Sequence, residues 1–126
     1  NGWIPRFALM RHACLYDNDS DRQEALNAIR KLLSQFENLF RNSGNVVNGF
    51  PASIPLDELE GREQYDPAML EENLMFGSPD TAIQKLKGYQ ALGVNEFIYY
   101  ASMGLSHAAQ KRSLRMFVKE VMPEFK

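Results

Sequence analysis

The period of the apolar positions changes several times along the chain, and each change marks an element. From Arg6 to Tyr16 the side chains alternate. Phe7, Leu9, Arg11, Ala13 and Leu15 point one way, and Ala8, Met10, His12, Cys14 and Tyr16 the other. Both sets are largely apolar, which predicts a strand covered on both faces, as in a parallel sheet. Asp17-Asn18-Asp19 reads as a turn. From Ser20 to Asn42 the period becomes helical: Ala25, Ile29, Leu32, Leu33, Phe36, Leu39 and Phe40 form a stripe opposite Arg22, Glu24, Arg30, Lys31 and Glu37. Ser20 and Gln23 are spaced for a capping box, and Gly44 marks the stop.

Asn45 to Tyr65 has no clean period and is broken by Gly49, Pro51, Pro55 and Gly61. It reads as a long irregular loop with one helical turn at 56–59, and a loop of that length is usually functional or mobile. Asp66-Pro67 then opens a short helix to about Asn73, and Leu74-Met75-Phe76 is a short strand. Gly77-Ser78-Pro79-Asp80 starts the next helix. Ser78 is suited to cap it, Pro79 to occupy its first turn and Asp80 to meet the positive end of its dipole. Ala82, Ile83, Leu86 and Tyr89 share a face, Gly93 is a left-handed stop, and Val94 to Tyr100 is rich in strand formers. Strand, helix and strand in succession make a βαβ unit. After a loop at 101–105, Ser106 caps a last helix to about Val121, with Leu114, Phe117, Val118 and Val121 expected on its core side. Three β/α units in series predict an α/β domain with parallel strands. It is either a small open sheet or consecutive units of a (β/α)8 TIM barrel.

Composition narrows this picture only a little. A chain of 126 residues is one domain by size, 1–126. A net charge of −2 makes no electrostatic case for nucleic acid or an anionic membrane as partner. Cys14 is the single cysteine, so an intrachain disulfide is excluded and a reducing, cytoplasmic setting is expected. No run has the length and apolarity of a membrane span. Asn1-Gly2 at the start, without Met, suits a proteolytic end or an internal cut in a longer protein.

The candidate chemistry is sparse. His12 and His107 lack metal-ligand spacing, so no metal site is expected. His12 is either a packed histidine or a base or ligand contact near a strand end. Cys14 shares its strand face, but a Cys-His nucleophile also needs direct contact and an orienting group. Arg11, on an apolar face, calls for an anionic partner if buried. The helix start at Gly77-Ser78 is either an ordinary cap or an anion site. Ser102 and Gly104 follow the last strand, where parallel α/β folds carry ligands.

Together, Phe76-Gly77-Ser78-Pro79-Asp80-Thr81-Ala82, Gly93-Val94-Asn95-Glu96-Phe97-Ile98, Ser113-Leu114-Arg115-Met116-Phe117 and Glu120-Val121-Met122-Pro123-Glu124-Phe125 resemble the C-terminal end of bacterial-luciferase-like flavin-dependent monooxygenases. The order and spacing of the blocks also resemble that family. The resemblance implies a (β/α)8 barrel that uses reduced FMN, supplied by a separate flavin reductase, and O2 to oxidise a small organic molecule. A full member is over twice this length, so the chain would hold about the last three β/α units. The family's main flavin-phosphate and catalytic residues would lie upstream, and none is carried over. What the resemblance leaves to line the barrel mouth is His12, Gly77, Ser78, Ser102 and Gly104. Strands cut from a barrel leave open edges, so a homo-oligomer is expected. The loop from Asn45 to Tyr65 would act as a lid if it lay at the carboxyl ends of the strands. A non-catalytic flavin-binding relative and a free-standing α/β interaction domain are the other readings.

Overall fold

The computed structural model describes residues 2–41 and 44–126. Its main sheet has three parallel strands, β1 (Ala8–Leu15), β4 (Met75–Gly77) and β5 (Glu96–Tyr100), in the order β4-β1-β5. Between β1 and β4 come α1 (Asp19–Arg41), a two-stranded hairpin of β2 (Val46–Val47) and β3 (Phe50–Pro51), the short α2 (Leu56–Leu59), a 3-10 turn at Glu63–Tyr65 and α3 (Pro67–Asn73). Helix α4 (Pro79–Ala91) joins β4 to β5. Helix α5 (His107–Met116) follows β5 and runs on into a π-helical turn (Phe117–Val121) and a 3-10 turn (Met122–Phe125).

The alternation expected of β1 is what builds the two layers. Its odd residues Ala13 and Leu15 pack with Met75, Ala82, Leu86 and Val121, under α4 and the C-terminal turns. Its even residues Cys14 and Tyr16 pack with Phe76, Ala25, Leu26, Ile29 and Leu70, under α1 and α3. Helices therefore cover both faces of an open sheet. In a barrel, successive strands are expected side by side and the helices form one outer ring. Here the first strand lies between the second and third. The physical reason is that three strands cannot close. The longest strand, apolar on both sides, takes the centre, where both of its edges are bonded and both of its faces covered.

Local signals read from the sequence recur in the caps. Asp66 Oδ2 accepts the Met69 N–H, Ser78 Oγ the Thr81 N–H and Ser106 Oγ the Ala109 N–H. Gly93, at φ +94°, follows α4 as its left-handed stop. Two expectations need correction. Helix α1 begins at Asp19, and its cap is Asn18, whose Oδ1 accepts the Asp21 N–H, so Ser20 does not serve. The expected end of that helix at Asn42 lies outside the described residues. In the last helix, Leu114 and Val118 are about half exposed. The buried line is Ala109, Ser113 and Val121, with Met116 and Phe117 packed beside it. The π-helical turn adds a residue to the repeat and shifts the phase of the face after Met116.

The segment 45–65 is more ordered than its composition suggests. Asn38 of α1 is buried, donates to the carbonyls of Asn45 and Ala52, and accepts the Gly44 N–H. Ile54, Leu59 and Tyr65 form a small core against Leu33. The Tyr65 hydroxyl donates to Glu37 at 2.5 Å, and Arg62 pairs with the same carboxylate. A short turn after β1 sends α1 back along the sheet, so the anchors at Leu33, Glu37 and Asn38 lie toward the amino ends of the strands. The hairpin is thus tied to the second half of α1, while Glu63 and Gln64 near the end of the segment line a cleft beside His12.

Candidate functional site

The register of the sheet decides where the candidate residues fall. Strand β5 pairs with the first part of β1, ending at His12 opposite Tyr100, and β4 pairs with the last part, ending at Leu15 opposite Gly77. Strand β5 therefore stops three residues short of the end of β1. This puts His12, near the middle of its own strand, level with the carboxyl end of its neighbour. Its imidazole stacks on the Tyr100 ring with centroids 4.5 Å apart and planes 28° apart.

Beside that stack opens a cleft of about 380 Å³. His12 lies in its wall, with Ile29 and Leu33 of α1 on one side and Met69, Leu70 and Asn73 of α3 on the other. Leu74, Glu63 and Gln64 complete its lining. The cleft is mostly apolar with a few convergent polar groups, the usual character of a small-molecule pocket. His12 Nδ1 is buried and has no hydrogen-bond partner. Burial lowers the His12 pKa from its ordinary 6.5, so the ring is neutral at neutral pH.

The other sequence candidates are placed apart from this cleft. Gly77 and Ser78 lie beyond the end of β4. Gly77 has φ +134°, and a Cβ there would come within 3.0 Å of the Thr81 side chain, so the turn is built for glycine. The Ser78 hydroxyl is engaged as the cap of α4 and lies 3.1 Å from the Thr81 hydroxyl. Ser102 and Gly104 sit in the loop after β5. Between them Met103 is buried against Tyr16 and Leu26, which draws that loop over the carboxyl end of β1 toward α1. Glu24 of α1 holds it there by accepting the Ser106 N–H at 2.6 Å. Cys14 is buried, and burial pushes its thiol up to about 11, so it stays protonated and is no nucleophile at neutral pH. Arg11 finds no carboxylate: its guanidinium donates to the Met10 carbonyl, and Glu96 pairs instead with the exposed Arg6.

The polar framework around the strand ends has no local signature in the chain. Asp21, 5 % exposed, takes a bidentate bond from Arg112 at 2.7 and 2.8 Å, tying α1 to α5. Glu71 accepts from Arg22 at 2.5 and 3.0 Å and from the Tyr16 hydroxyl at 2.6 Å. These residues are far apart in sequence, and only the helix faces they share with apolar neighbours could have suggested them. Among the described residues, no cluster of His, Cys, Asp or Glu could hold a metal ion, and no helix is long and apolar enough to cross a membrane.

The turn at Gly77-Ser78 does not fit a flavin phosphate as it stands. Ser78 is spent on the cap, Pro79 has no N–H to offer, and Asp80 adds negative charge to the first turn.

No family model matches the chain, and no solved structure matches it. Over 121 residues, 96 % of its length, it is 30 % identical to the oxygenase component of the flavin-dependent trigonelline monooxygenase of Acinetobacter baylyi. The matched part is 34 % of that protein, so the chain spans about a third of the length of the curated relative to which it is similar.

Proposed function

We propose that the chain is the C-terminal part of a luciferase-like flavin-dependent monooxygenase, a (β/α)8 enzyme. On this reading the whole protein takes reduced FMN from a separate flavin reductase and uses O2 to oxidise a small organic substrate. The observation that carries it is the similarity to the Acinetobacter oxygenase component along nearly the whole chain. The Gly77-Ser78-Pro79 turn, the Gly93 stop and the Met122-Pro123 ending support it, as does the parallel α/β sheet. The relative's substrate, trigonelline, is the first compound to try.

In the closed barrel β4 would stand between β1 and β5, and α1 would leave the face that it covers here. Flavin-phosphate contacts and catalytic groups would come from the preceding strands. His12, on that inward face, would line the barrel wall, with Gly77, Ser78, Ser102 and Gly104 at its mouth. The open outer edges of β4 and β5, and the exposed side chains of Met10 and Ile98, support association with another chain, a homo-oligomer in the simplest case.

The test is the open reading frame around the chain, expressed whole. Several upstream β/α units, FMN binding, and NADH-dependent oxygenation when a flavin reductase is added are the expected results. A start codon immediately before Asn1, or a full-length product that binds no flavin, would overturn the reading.

A further inference from the structure

The hairpin of β2 and β3 is held by its neighbours in sequence, through Asn38, and depends on neither the flavin nor the order of the main sheet. Its turn is Asn48-Gly49, between the register partners Val47 and Phe50. Asn48 has φ +50° and Gly49 φ +83°. A two-residue turn with both residues in the left-handed region is of type I′, and Asn-Gly is a pair it favours strongly. The bond that closes such a turn runs from the Phe50 N–H to the Val47 carbonyl, which leaves the Gly49 N–H free. Both turn residues are exposed.

The dipeptide that suits the turn is also the one most open to cyclisation. Gly49 has no side chain to shield its amide nitrogen, so that nitrogen, once deprotonated, can attack the side-chain carbonyl carbon of Asn48. The Cγ–Nδ2 bond breaks, ammonia leaves with the Gly49 proton, and a five-membered imide forms. Water then cleaves one of the two imide C–N bonds. Cleavage at Cγ gives aspartate on a normal backbone; cleavage at the main-chain carbonyl routes the backbone through the side chain as isoaspartate. Other asparagines are restrained. Asn38 is buried with its amide bonded to two carbonyls, and Asn95 accepts the Phe7 N–H. The hairpin has only two residues in each strand, so it opens far more readily than the main sheet.

We propose that Asn48 is a site of spontaneous deamidation, and that its isoaspartate product releases the hairpin from α1. Phe50 lies with Leu32, Phe36 and Leu39 around a groove of about 180 Å³. An extra backbone atom in a two-residue turn breaks the register that seats Phe50 there. Aspartate leaves the backbone length unchanged and tolerates the left-handed region, so it keeps the hairpin in place.

The experiment uses the protein made from the whole reading frame that contains this chain, incubated at mildly alkaline pH. Peptide mass spectrometry locates the amide-to-acid change, and an isoaspartyl methyltransferase with labelled S-adenosylmethionine reports isoaspartate. Both signals are expected at Asn48, at a rate within about a hundredfold of that in the urea-unfolded protein. Asn48→Gly, which suits the same turn, should remove both signals from that peptide. Amide exchange at 46–52 should rise in the isoaspartate form and stay at the parent's level in Asn48→Asp. An unchanged Asn48 peptide, a rate slower than that bound, or equal exchange in the isoaspartate form and in Asn48→Asp would each overturn the proposal. If Asn48→Gly does not fold, the peptide map and exchange of the parent still decide it. None of these readouts involves flavin, so their outcome is separate from that of the monooxygenase reading.

Discussion

The Ser113 hydroxyl accepts the Leu15 N–H at 2.7 Å across 98 positions of sequence. Strand β5 has ended by that level, so the last part of β1 has no strand on that edge, and a helix side chain supplies the missing acceptor. The same hydroxyl bonds the Tyr99 phenol. Replacing Ser113 with Ala leaves a buried N–H without a partner. We expect a loss of about 1–3 kcal/mol, read as a lower urea midpoint at unchanged slope. A midpoint equal to the parent's would mean that water or a shifted side chain serves Leu15 as well.

Lys85 plays a related part on the other edge. Its ammonium donates to the carbonyls of Glu71, Leu74 and Phe76, so one side chain closes the end of α3 and the start of β4. Burial lowers its pKa, with Glu71 and Glu72 pulling the other way. Lys85→Met keeps the stem and removes the donors. Bonds from a charged donor are worth about 1.5–3 kcal/mol, so the variant should lose stability of that order. Amide exchange should rise first in 70–77. Uniform exchange across the sheet would argue against a local role.

Acid should unfold the chain in two stages. His12 is held below its ordinary 6.5 by burial, so stability is full above that value and declines as pH falls through it toward the folded value. Asp21 is lowered chiefly by its bond from Arg112, Glu37 by Tyr65 and Glu71 by Arg22. Their ordinary values are 3.8, 4.5 and 4.5, so their contribution is intact above those values and lost as pH falls below them. Urea midpoints between pH 7.5 and 3 would trace both stages. His12→Phe should remove the upper one alone; an unchanged curve in that variant would assign the upper stage elsewhere.

The order of the strands can be tested by a cross-link. Met10 and Ile98 are register partners on β1 and β5, and both are about half exposed. Neighbouring strands lie about 4.8 Å apart, within disulfide reach. Met10→Cys with Ile98→Cys should oxidise readily within one chain. In a closed barrel, with β4 between them, the pair would be out of reach and the bond would not form.

Much of this architecture was legible because it is local. Asp66, Ser78 and Ser106 act within one turn of where they stand, and Gly93 needs only its own backbone freedom. The alternation in β1 told of two covered faces, but not of which helix covers each. Asn18 displaced Ser20 as a cap because it could also reach Asp17 and Asp21, a competition that capping spacing does not rank. Val118 was misassigned because one π-helical turn resets the phase, and Leu114, ahead of that turn, because the buried line of α5 runs through the small residues Ala109 and Ser113. His12 was visible as a candidate, but its stack on Tyr100 and its cleft depend on parallel register, which no short window of sequence contains. The Asp21–Arg112 and Glu71–Arg22 pairs were hidden for the same reason.

The central place of β1 also bears on how the molecule is made. Within this stretch β1 emerges first, and among the described residues it hydrogen-bonds to strands that begin only at Met75 and Glu96. Until those emerge, both of its edges and both of its apolar faces wait unpaired. Helix α1 can cover one face early, because it follows at once. The other waits for α4 and for the C-terminal turns around Val121. Such long-range closure folds slowly and exposes strand edges meanwhile. During synthesis, β1 is therefore the segment with the most to gain from a chaperone.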